Sequence, residues 1–124
     1  MGDQRLRPTE RLHCPRAYQQ VFTQGEKLVG PLFVLYVLPT SEPHSRLGLA
    51  VSKRLGKAVV RNRIKRCLRE TFRRHKAAFV VPCDVVIVAR HGAVGAPYMA
   101  YVQQLLALLR RCKCLGQRRE GMQS

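Results

Sequence analysis

Hydrophobic residues recur at helical spacing in three segments of the chain, 15–24, 58–76 and 97–112. In each segment apolar side chains fall three or four residues apart, so they would line one side of a helix. The predicted buried stripe includes Ile64 and Leu68 in the second segment, and in the third it consists of Met99, Val102, Leu105, Leu106 and Leu109. Pro15 and Pro97 suit a first helical turn, because proline fixes φ near the helical value and needs no amide donor there. The pattern therefore predicts three amphipathic helices, each packing one side against the rest of the protein.

Three other segments combine β-branched and aromatic residues in the way that is typical of strands. They span 28–39, 46–52 and 83–90, and the last is a nearly continuous apolar run that predicts a buried strand. Both faces of 28–39 carry apolar side chains, so we expect other elements to cover both. We also expect 28–39 and 46–52 to pair antiparallel across the polar turn 40–45. The succession of helix, strands, helix, strand and helix predicts the α+β class.

Length and composition fit one domain. The chain has 124 residues, of which 46% are hydrophobic, which is enough for a packed core. We place the domain at 15–112, between a basic N-terminal arm at 1–14 and a polar tail at 113–124. No apolar run approaches the roughly 20 residues of a membrane-spanning helix, and the arm lacks the apolar stretch of a secretory signal. We therefore expect a cytoplasmic protein with no membrane partner.

The charge of the chain indicates a binding protein. There are 23 Lys and Arg residues against 7 Asp and Glu, which gives a net charge of +16. Such a chain repels itself, and a polyanionic partner is the economical explanation. Nucleic acid fits this partner better than an anionic membrane surface does, but charge alone does not choose between RNA and DNA.

The highest density of cations lies in the helix at 58–76 and in the loop before it. Between Lys53 and Lys76 there are eleven cations and a single acid, Glu70. Like charges at helical spacing cost a few tenths of a kcal/mol each, and cations near a helix N-terminus cost roughly 0.3–1 kcal/mol more. Docked phosphates would reverse both penalties, so we interpret this face as a phosphate-binding surface. The alternative is a merely solvated helix face.

The acidic, histidine and cysteine residues form no recognisable catalytic or metal site. A two-metal site needs clustered carboxylates, whereas the acids here are spread singly. The histidines form no HxH or HxxxH pair, and the five cysteines form no CxxC pair. We expect reduced thiols, with Cys67 and Cys83 partly buried and Cys14, Cys112 and Cys114 at the surface. The residues thus indicate a nucleic-acid-binding protein without chemistry of its own, although a nuclease whose site assembles in space stays open.

Three aromatic residues are candidates for contact with unpaired bases. Tyr18 and Phe22 lie one helical turn apart in the first predicted helix, and Tyr36 lies in the first predicted strand. Aromatic rings on an accessible face would stack on single-stranded bases. Composition alone favours ordinary core positions for all three.

The segment RLGLAVSKRLGKAVVRNRIKRCLRETFR, at 46–73, resembles the signature of the bacterial ribonuclease P protein subunit. The pattern of that family is alanine, two residues, then Arg-Asn-Arg, an aliphatic residue, a basic residue, an arginine and a later arginine. The positions that meet it here are Ala58, Arg61, Asn62, Arg63, Ile64, Lys65, Arg66 and Arg69. Further similarity in RLHCPRAYQQVFTQG, FVLYVLP and DVVIVAR extends the resemblance over roughly 5–112.

The resemblance implies a fold and an activity. The fold is a small α+β domain with a central mixed sheet, the element order αβββαβα and a left-handed βαβ crossover, against the usual right-handed rule. The activity is that of an accessory subunit in an endoribonuclease particle that removes the 5′ leader of precursor tRNA. Its partners are the precursor tRNA and the catalytic RNA, which carries the catalysis and binds most of the Mg²⁺. The alternative is a basic RNA-binding protein of another particle, such as a ribosomal protein.

The resemblance also assigns residues, none of them catalytic and none of them a metal ligand. The basic helix and the loop before it would bind the catalytic RNA through Lys53, Arg54, Lys57, Arg61, Asn62, Arg63, Lys65, Arg66, Arg69 and Arg73. Aromatic residues of the first helix and first strand would line a cleft for the unpaired leader, and they correspond to Tyr18, Phe22 and Tyr36. Lys57 stands where a capping asparagine can occur in the family, a departure that affects the cap of this helix.

Overall fold

Three helices and four strands make up the fold in the computed structural model, which describes residues 11–12, 14–79 and 81–112. In chain order they are α1 (Pro15–Gln24), β1 (Glu26–Val29), β2 (Phe33–Pro39), β3 (Arg46–Ala50), α2 (Ala58–His75), β4 (Cys83–Ala89) and α3 (Tyr98–Arg111). The predicted α+β class and the order αβββαβα are confirmed. The predicted tail at 113–124, with Cys114, and nearly all of the predicted arm at 1–14 lie outside the described residues.

The four strands form one mixed sheet in the order β1-β2-β4-β3. β2 pairs antiparallel with both β1 and β4, whereas β3 pairs parallel with β4. Helix α2 therefore connects two adjacent parallel strands, and the left hand expected for this crossover stays a prediction from the resemblance. The predicted antiparallel pairing of 28–39 with 46–52 is wrong, because β4 lies between β2 and β3. β4 takes this central place since its apolar run is suited to burial on both faces.

The apolar run at 28–39 is a hairpin rather than one strand. β1 starts earlier, at Glu26, and the chain reverses at Gly30 and Pro31. Pro31 cannot donate to a strand ladder, while the Gly30 N–H donates to the Phe33 carbonyl across the turn at 3.0 Å. The apolar residues on both sides of the turn do not distinguish a hairpin from one long strand. The glycine–proline pair is the sequence signal for the reversal.

The main core lies between one face of the sheet and helices α2 and α3. Alternate residues of β2, among them Phe33 and Leu35, are fully buried in this layer. α2 contributes a stripe at helical spacing that includes Ile64 and Leu68, as the sequence predicts. Burial of this stripe stabilises a helix whose charges oppose it. None of the described helices is long and apolar enough to cross a membrane.

Helix α1 covers only part of the opposite face of the sheet. A smaller core forms there from Leu12, Val21 and Val86, all of them buried. Neighbouring side chains on the same face, including Val34 and Val88, stay half-buried. The sheet therefore presents a partly open strip beside α1, and this strip positions the candidate site.

The buried stripe of α3 is rotated relative to its prediction. Met99, expected inside, is 58% exposed, whereas Tyr101 and Leu108 are fully buried. At about 100° per residue, Met99 lies about 120° around the helix from Leu105, near the centre of the stripe. Leu106, also expected inside, is half-buried for the same reason. The sequence pattern thus predicts the helix correctly but misplaces part of its buried side.

Two of the described cysteines are more deeply buried than the sequence predicts. Cys67 is half-buried and Cys14 is exposed, as expected, while Cys83 is fully buried. Burial raises the pKa of the Cys83 thiol to about 12. Cys112, expected at the surface, is buried, because the end of α3 packs against β1.

Candidate nucleic-acid interface

The residues predicted to bind the catalytic RNA lie on the accessible side of α2 and on the loop before it. Lys53, Arg54 and Lys57 are exposed on the loop. The seven residues on the helix are exposed or half-buried, namely Arg61, Asn62, Arg63, Lys65, Arg66, Arg69 and Arg73. The fold thus gathers all ten predicted residues on one helix and the turn that leads into it.

Helix α2 begins without a side-chain cap. Its N-cap residue, Lys57, makes no side-chain hydrogen bond to the first turn, and that turn holds no acid. Arg61 instead reaches back and donates its Nε–H to the Gly56 carbonyl at 3.2 Å. The turn before the helix is closed by its own hydrogen bonds, including Leu55 N–H to the Ser52 carbonyl at 3.1 Å. The positive end of the helix dipole is therefore surrounded by cations, a setting that favours an anion.

The one acid of α2 neutralises only the C-terminal part of the helix. Glu70 is buried and accepts hydrogen bonds from Arg73, with Nη2 to Oε2 at 2.8 Å, and from Arg74 Nε. The Arg73 hydrogen bond lowers the pKa of Glu70 below its ordinary value; burial opposes this effect, and Arg74 reinforces it. Arg73, predicted to bind RNA, is thus already part of an ion pair. The positive charges in the N-terminal part of the helix are not neutralised by Glu70.

Arg63 also contacts the protein itself. Its Nη2 donates to the Ala96 carbonyl at 3.1 Å, in the segment that leads into α3. The side chain is exposed, and a guanidinium has five N–H donors, so donors remain for a partner. Arg63 therefore joins α2 to the start of α3 while staying accessible.

Three cations meet beside an aromatic ring in a pocket of about 220 Å³. Its lining residues are Arg11, Tyr18, Leu47, Leu49, Lys65 and Arg69. Backbone pairing with β3 holds Arg11 there, since the N–H of the next residue, Leu12, donates to the Leu47 carbonyl at 3.0 Å. Burial lowers the pKa of Arg69, and the charges of Arg11 and Arg66 lower it further. Among the described residues no acid lines the pocket, so its potential is positive and suits a phosphate.

The three predicted aromatic residues lie near one another, and none is fully buried. Phe22 is 39% exposed and packs edge-on against Tyr36, with ring centroids 4.9 Å apart and an interplanar angle of 90°. Tyr18 is half-buried and lies over Gly48 of β3, where a Cβ would come within 2.7 Å of the ring. Because Gly48 has no side chain, the ring can lie close to the strand. This partial exposure differs from the core positions that composition alone favours.

The strand register places these aromatic residues along one strip of the sheet. Tyr36 of β2 and Gly48 of β3 both pair with Val86 of β4, so they lie in one row across the sheet. Phe22 contacts one end of this row and Tyr18 the other. We call this row and its two flanking rings the aromatic strip. It extends from the Phe22–Tyr36 ring pair at one end to Tyr18 at the other. Tyr18 also lines the pocket that contains Arg11, Lys65 and Arg69, which we call the cationic pocket.

Two of the described carboxylates, Asp84 and Glu70, are already engaged by arginines. Asp84, at the start of β4, accepts two hydrogen bonds from Arg46 at 2.8 and 2.7 Å, and Glu70 is engaged by two arginines. In residues 11–12, 14–79 and 81–112, no group of three or more His, Cys, Asp or Glu side chains lies together. This part of the chain therefore presents no cluster of three such ligands for a metal ion.

Arg11 is not among the predicted site residues, because the sequence pattern places it in the N-terminal arm. The structure pairs the segment with β3 and so brings the guanidinium into the pocket. A signal was available in Leu12, an apolar residue in a polar stretch. Leu12 is 5% exposed and anchors the segment in the smaller core.

Known proteins share this sequence over most of its length. A family model described as Ribonuclease P matches residues 6–113. The ribonuclease P protein component of Geobacillus sp. (strain WCH70) is 41% identical over 106 residues, which cover 85% of this chain and 91% of that protein. The corresponding component of Syntrophobacter fumaroxidans is 41% identical over 108 residues, which cover 86% and 91%. These matches confirm the resemblance and do not favour the alternative of a ribosomal protein.

Solved structures show the same fold. The RNase P protein of Staphylococcus aureus matches with a TM-score of 0.74 at 32% identity, covering 82% of this chain and 93% of that one. The RNase P protein of Thermotoga maritima matches with a TM-score of 0.73 at 33% identity, covering 82% and 96%. Since family model, relatives and structures all span more than four fifths of the chain, it belongs to the ribonuclease P protein family.

Proposed function

We propose that this protein is the protein subunit of a ribonuclease P ribonucleoprotein and assists removal of the 5′ leader from precursor tRNA. In this role it binds two RNAs, the catalytic RNA and the precursor. One observation carries the proposal: the cations of Arg11, Lys65 and Arg69 meet at Tyr18, where the aromatic strip ends. Family membership supports the particle, and the geometry supports the two RNA contacts.

The catalytic RNA docks on α2 and the loop before it. Exposed cations such as Lys53, Arg54 and Arg66 bond to phosphates and release counterions, which makes the affinity depend on salt. Phosphates there also relieve the repulsion among cations along the helix. Asn62, exposed and neutral, can hydrogen-bond a sugar hydroxyl or a base edge.

The unpaired leader lies along the aromatic strip. Tyr18 and Phe22 are four residues apart on α1, which separates them by about 6 Å along the helix axis. Bases stack on these rings without regard to their identity, and Arg11 in the cationic pocket at Tyr18 takes a phosphate of the same strand. The strip thus combines the two contacts that single-stranded RNA offers to a protein.

The RNA subunit carries the catalysis, together with the Mg²⁺ that it holds. The protein binds the leader and orients it, which lowers the entropic cost of bringing the cleavage site to the catalytic RNA. Two of its described carboxylates, Glu70 and Asp84, form ion pairs with arginines and stabilise the fold.

Cleavage of precursor tRNA with and without the catalytic RNA tests this function. We expect the protein alone to leave the precursor intact, and we expect the protein to increase cleavage when it is added to a bacterial ribonuclease P RNA. Cleavage at the leader by the protein alone would indicate a free-standing nuclease. Failure to increase cleavage, together with tighter binding to ribosomal RNA than to the catalytic RNA, would favour the alternative particle.

A further inference from the structure

Arg61 makes a contact that distinguishes it from its neighbours on the basic face. Its side chain is half-buried, and its Nε–H donates to the Gly56 carbonyl, five residues back, at 3.2 Å. Arg66, on the same helix, is exposed. The Nε of Arg61 is therefore committed to the protein backbone, at the junction between the basic loop and α2.

The loop that Arg61 contacts has a defined shape. Gly56 adopts φ +142°, which side-chain-bearing residues rarely adopt, and a Cβ there would lie 3.1 Å from Val60. The Gly56 N–H closes the turn by donating to the Lys53 carbonyl at 3.2 Å. The loop thus reaches the helix through a junction that requires glycine, and Arg61 binds the carbonyl of that glycine.

A side-chain cap would ordinarily fix the approach of a loop to a helix. Lys57, the N-cap residue of α2, provides no such hydrogen bond. The Arg61 contact acts at the same junction from the helix side, since it joins the residue before the N-cap to the end of the first turn. It therefore lies where a side-chain cap would act.

We propose that Arg61 is a positioning residue, which through the Gly56 carbonyl holds the loop 53–57 in the orientation that binds the catalytic RNA. The loop carries three exposed cations, Lys53, Arg54 and Lys57. A single hydrogen bond that fixes the orientation of the loop therefore affects three potential phosphate contacts. This inference rests on the proposed RNA-binding function and deepens it. It assigns to Arg61 a role that differs from that of a phosphate ligand.

Two substitutions at Arg61 separate positioning from direct phosphate contact. Glutamine places its amide Nε2 at the same number of bonds from Cα as the Nε of arginine, so Arg61→Gln keeps a donor for Gly56 and removes the charge. Lysine keeps the charge but places a methylene at that position and its ammonium one bond further out, so Arg61→Lys displaces the donor from the Gly56 carbonyl. Positioning predicts that Gln preserves RNA affinity better than Lys does, and direct contact predicts the reverse.

Arg66→Gln and Arg66→Lys form the matched control pair on the exposed face of α2. Dissociation constants of all four variants are measured for one transcribed bacterial ribonuclease P RNA at fixed salt. We expect Arg61→Lys to weaken binding by about tenfold and Arg61→Gln by no more than about threefold. At position 66 lysine should preserve binding better than glutamine. The proposal is overturned if lysine preserves binding better than glutamine at both positions. It is also overturned if neither Arg61 variant changes the affinity.

Amide hydrogen exchange in the free protein tests the same contact without RNA. The Leu55 and Gly56 amides donate within the turn, so they report its opening. We expect them to exchange severalfold faster in Arg61→Lys than in the wild type, Arg61→Gln or Arg66→Lys. Equal exchange in all four proteins contradicts the proposal.

These two measurements keep the inference distinct from the function on which it rests. A wild-type protein that does not bind the RNA overturns the proposed function, and the exchange rates then decide by themselves whether Arg61 holds the loop. Melting curves show whether each variant folds. If Arg61→Lys does not, Arg61→Gln must still preserve affinity better than Arg66→Gln, and the opposite order would sink the proposal.

Discussion

The exposure of a side chain determines whether it can contact a ligand or only stabilises the fold. Phe33 is fully buried and contributes apolar area to the core, whereas Phe22 is 39% exposed. The same division holds for the arginines, because Arg46 is paired with Asp84 while Arg66 is exposed. Residue type alone therefore does not identify the binding surface.

Replacing Phe22 by leucine should separate precursor from mature tRNA. Leucine keeps much of the apolar volume but removes the ring on which a leader base would stack. Affinity for precursor tRNA should fall by about 1–3 kcal/mol if one base is stacked there, and affinity for mature tRNA, which lacks the leader, should barely change. Both affinities are measured with the reconstituted particle, beside a melting curve of the free protein.

Phe33→Leu is the matched control for this experiment, since Phe33 lies on β2 with its side chain in the main core. It should lower the melting temperature and affect the two tRNAs equally. Equal losses for both tRNAs in Phe22→Leu as well would assign Phe22 to packing rather than to the leader.

The Glu70 carboxylate should make stability fall in acid. Its folded pKa lies below the ordinary value of 4.5, so the ionised group stabilises the folded state above that pH. This stabilisation is lost as the pH falls through the folded pKa. Urea unfolding of Glu70→Gln should therefore show lower stability at neutral pH and a smaller decrease from about pH 5 to about pH 3 than the wild type. Identical pH profiles would show that Glu70 contributes nothing through its charge.

At the scale of elements, α2 combines a buried stripe with an uncompensated cationic side. Its bounds, Ala58–His75, agree with the predicted 58–76, because helical periodicity is a local property of the sequence. Strand partners are not local. The position of β4 between β2 and β3 depends on which apolar run is buried on both faces, which no short window of sequence reveals.

Removing a cation from α2 should weaken RNA binding without destabilising the protein. Arg66→Ala and Arg69→Ala should each lower the magnitude of the salt slope for the catalytic RNA by roughly one unit. The free variants should be no less stable than the wild type, because repulsion among Arg11, Arg66 and Arg69 is relieved. Affinities over a range of salt concentrations and melting curves provide both readouts.

Arg110→Ala is the control for charge alone, since Arg110 is an exposed cation on α3, outside the basic face. It removes the same charge and should leave the salt slope nearly unchanged. A slope that changes equally in all three variants would mean that net charge, and not the face of α2, governs binding.

The sequence allows the cationic side of α2 to be predicted but not the pocket beside it. The ten predicted residues are assigned through the family resemblance, whose motif is one continuous stretch of sequence, and in the fold they are exposed or half-buried. The pocket needs Arg11, which comes close to Lys65 and Arg69 only because its segment pairs with β3. Such a site depends on contacts between distant parts of the chain, which periodicity and composition do not encode.

On the scale of the whole molecule, one face of the sheet packs into the core that stabilises the fold, and the other face remains accessible for binding. One face is sealed by α2 and α3 around the main core, while α1 covers the other only in part. The cations gather where the open face meets α2, and the net charge of the chain is +16. Folding therefore brings cations together at one edge of the sheet, where they repel one another. An anion bound at that edge reduces this repulsion.

Small polyanions should consequently raise the stability of the free protein. Pyrophosphate can bind the pocket of the folded state, whereas the unfolded chain does not assemble that pocket. At about 100 times its dissociation constant, a ligand of the folded state alone adds about 2.7 kcal/mol to the free energy of unfolding. Thermal melts in pyrophosphate and in sodium chloride of equal ionic strength separate this binding from general screening. Arg69→Gln should lose much of the pyrophosphate increment, because it removes a cation that lines the pocket. If chloride raises the melting temperature as much as pyrophosphate does, or if Arg69→Gln keeps the full increment, the pocket does not bind phosphate.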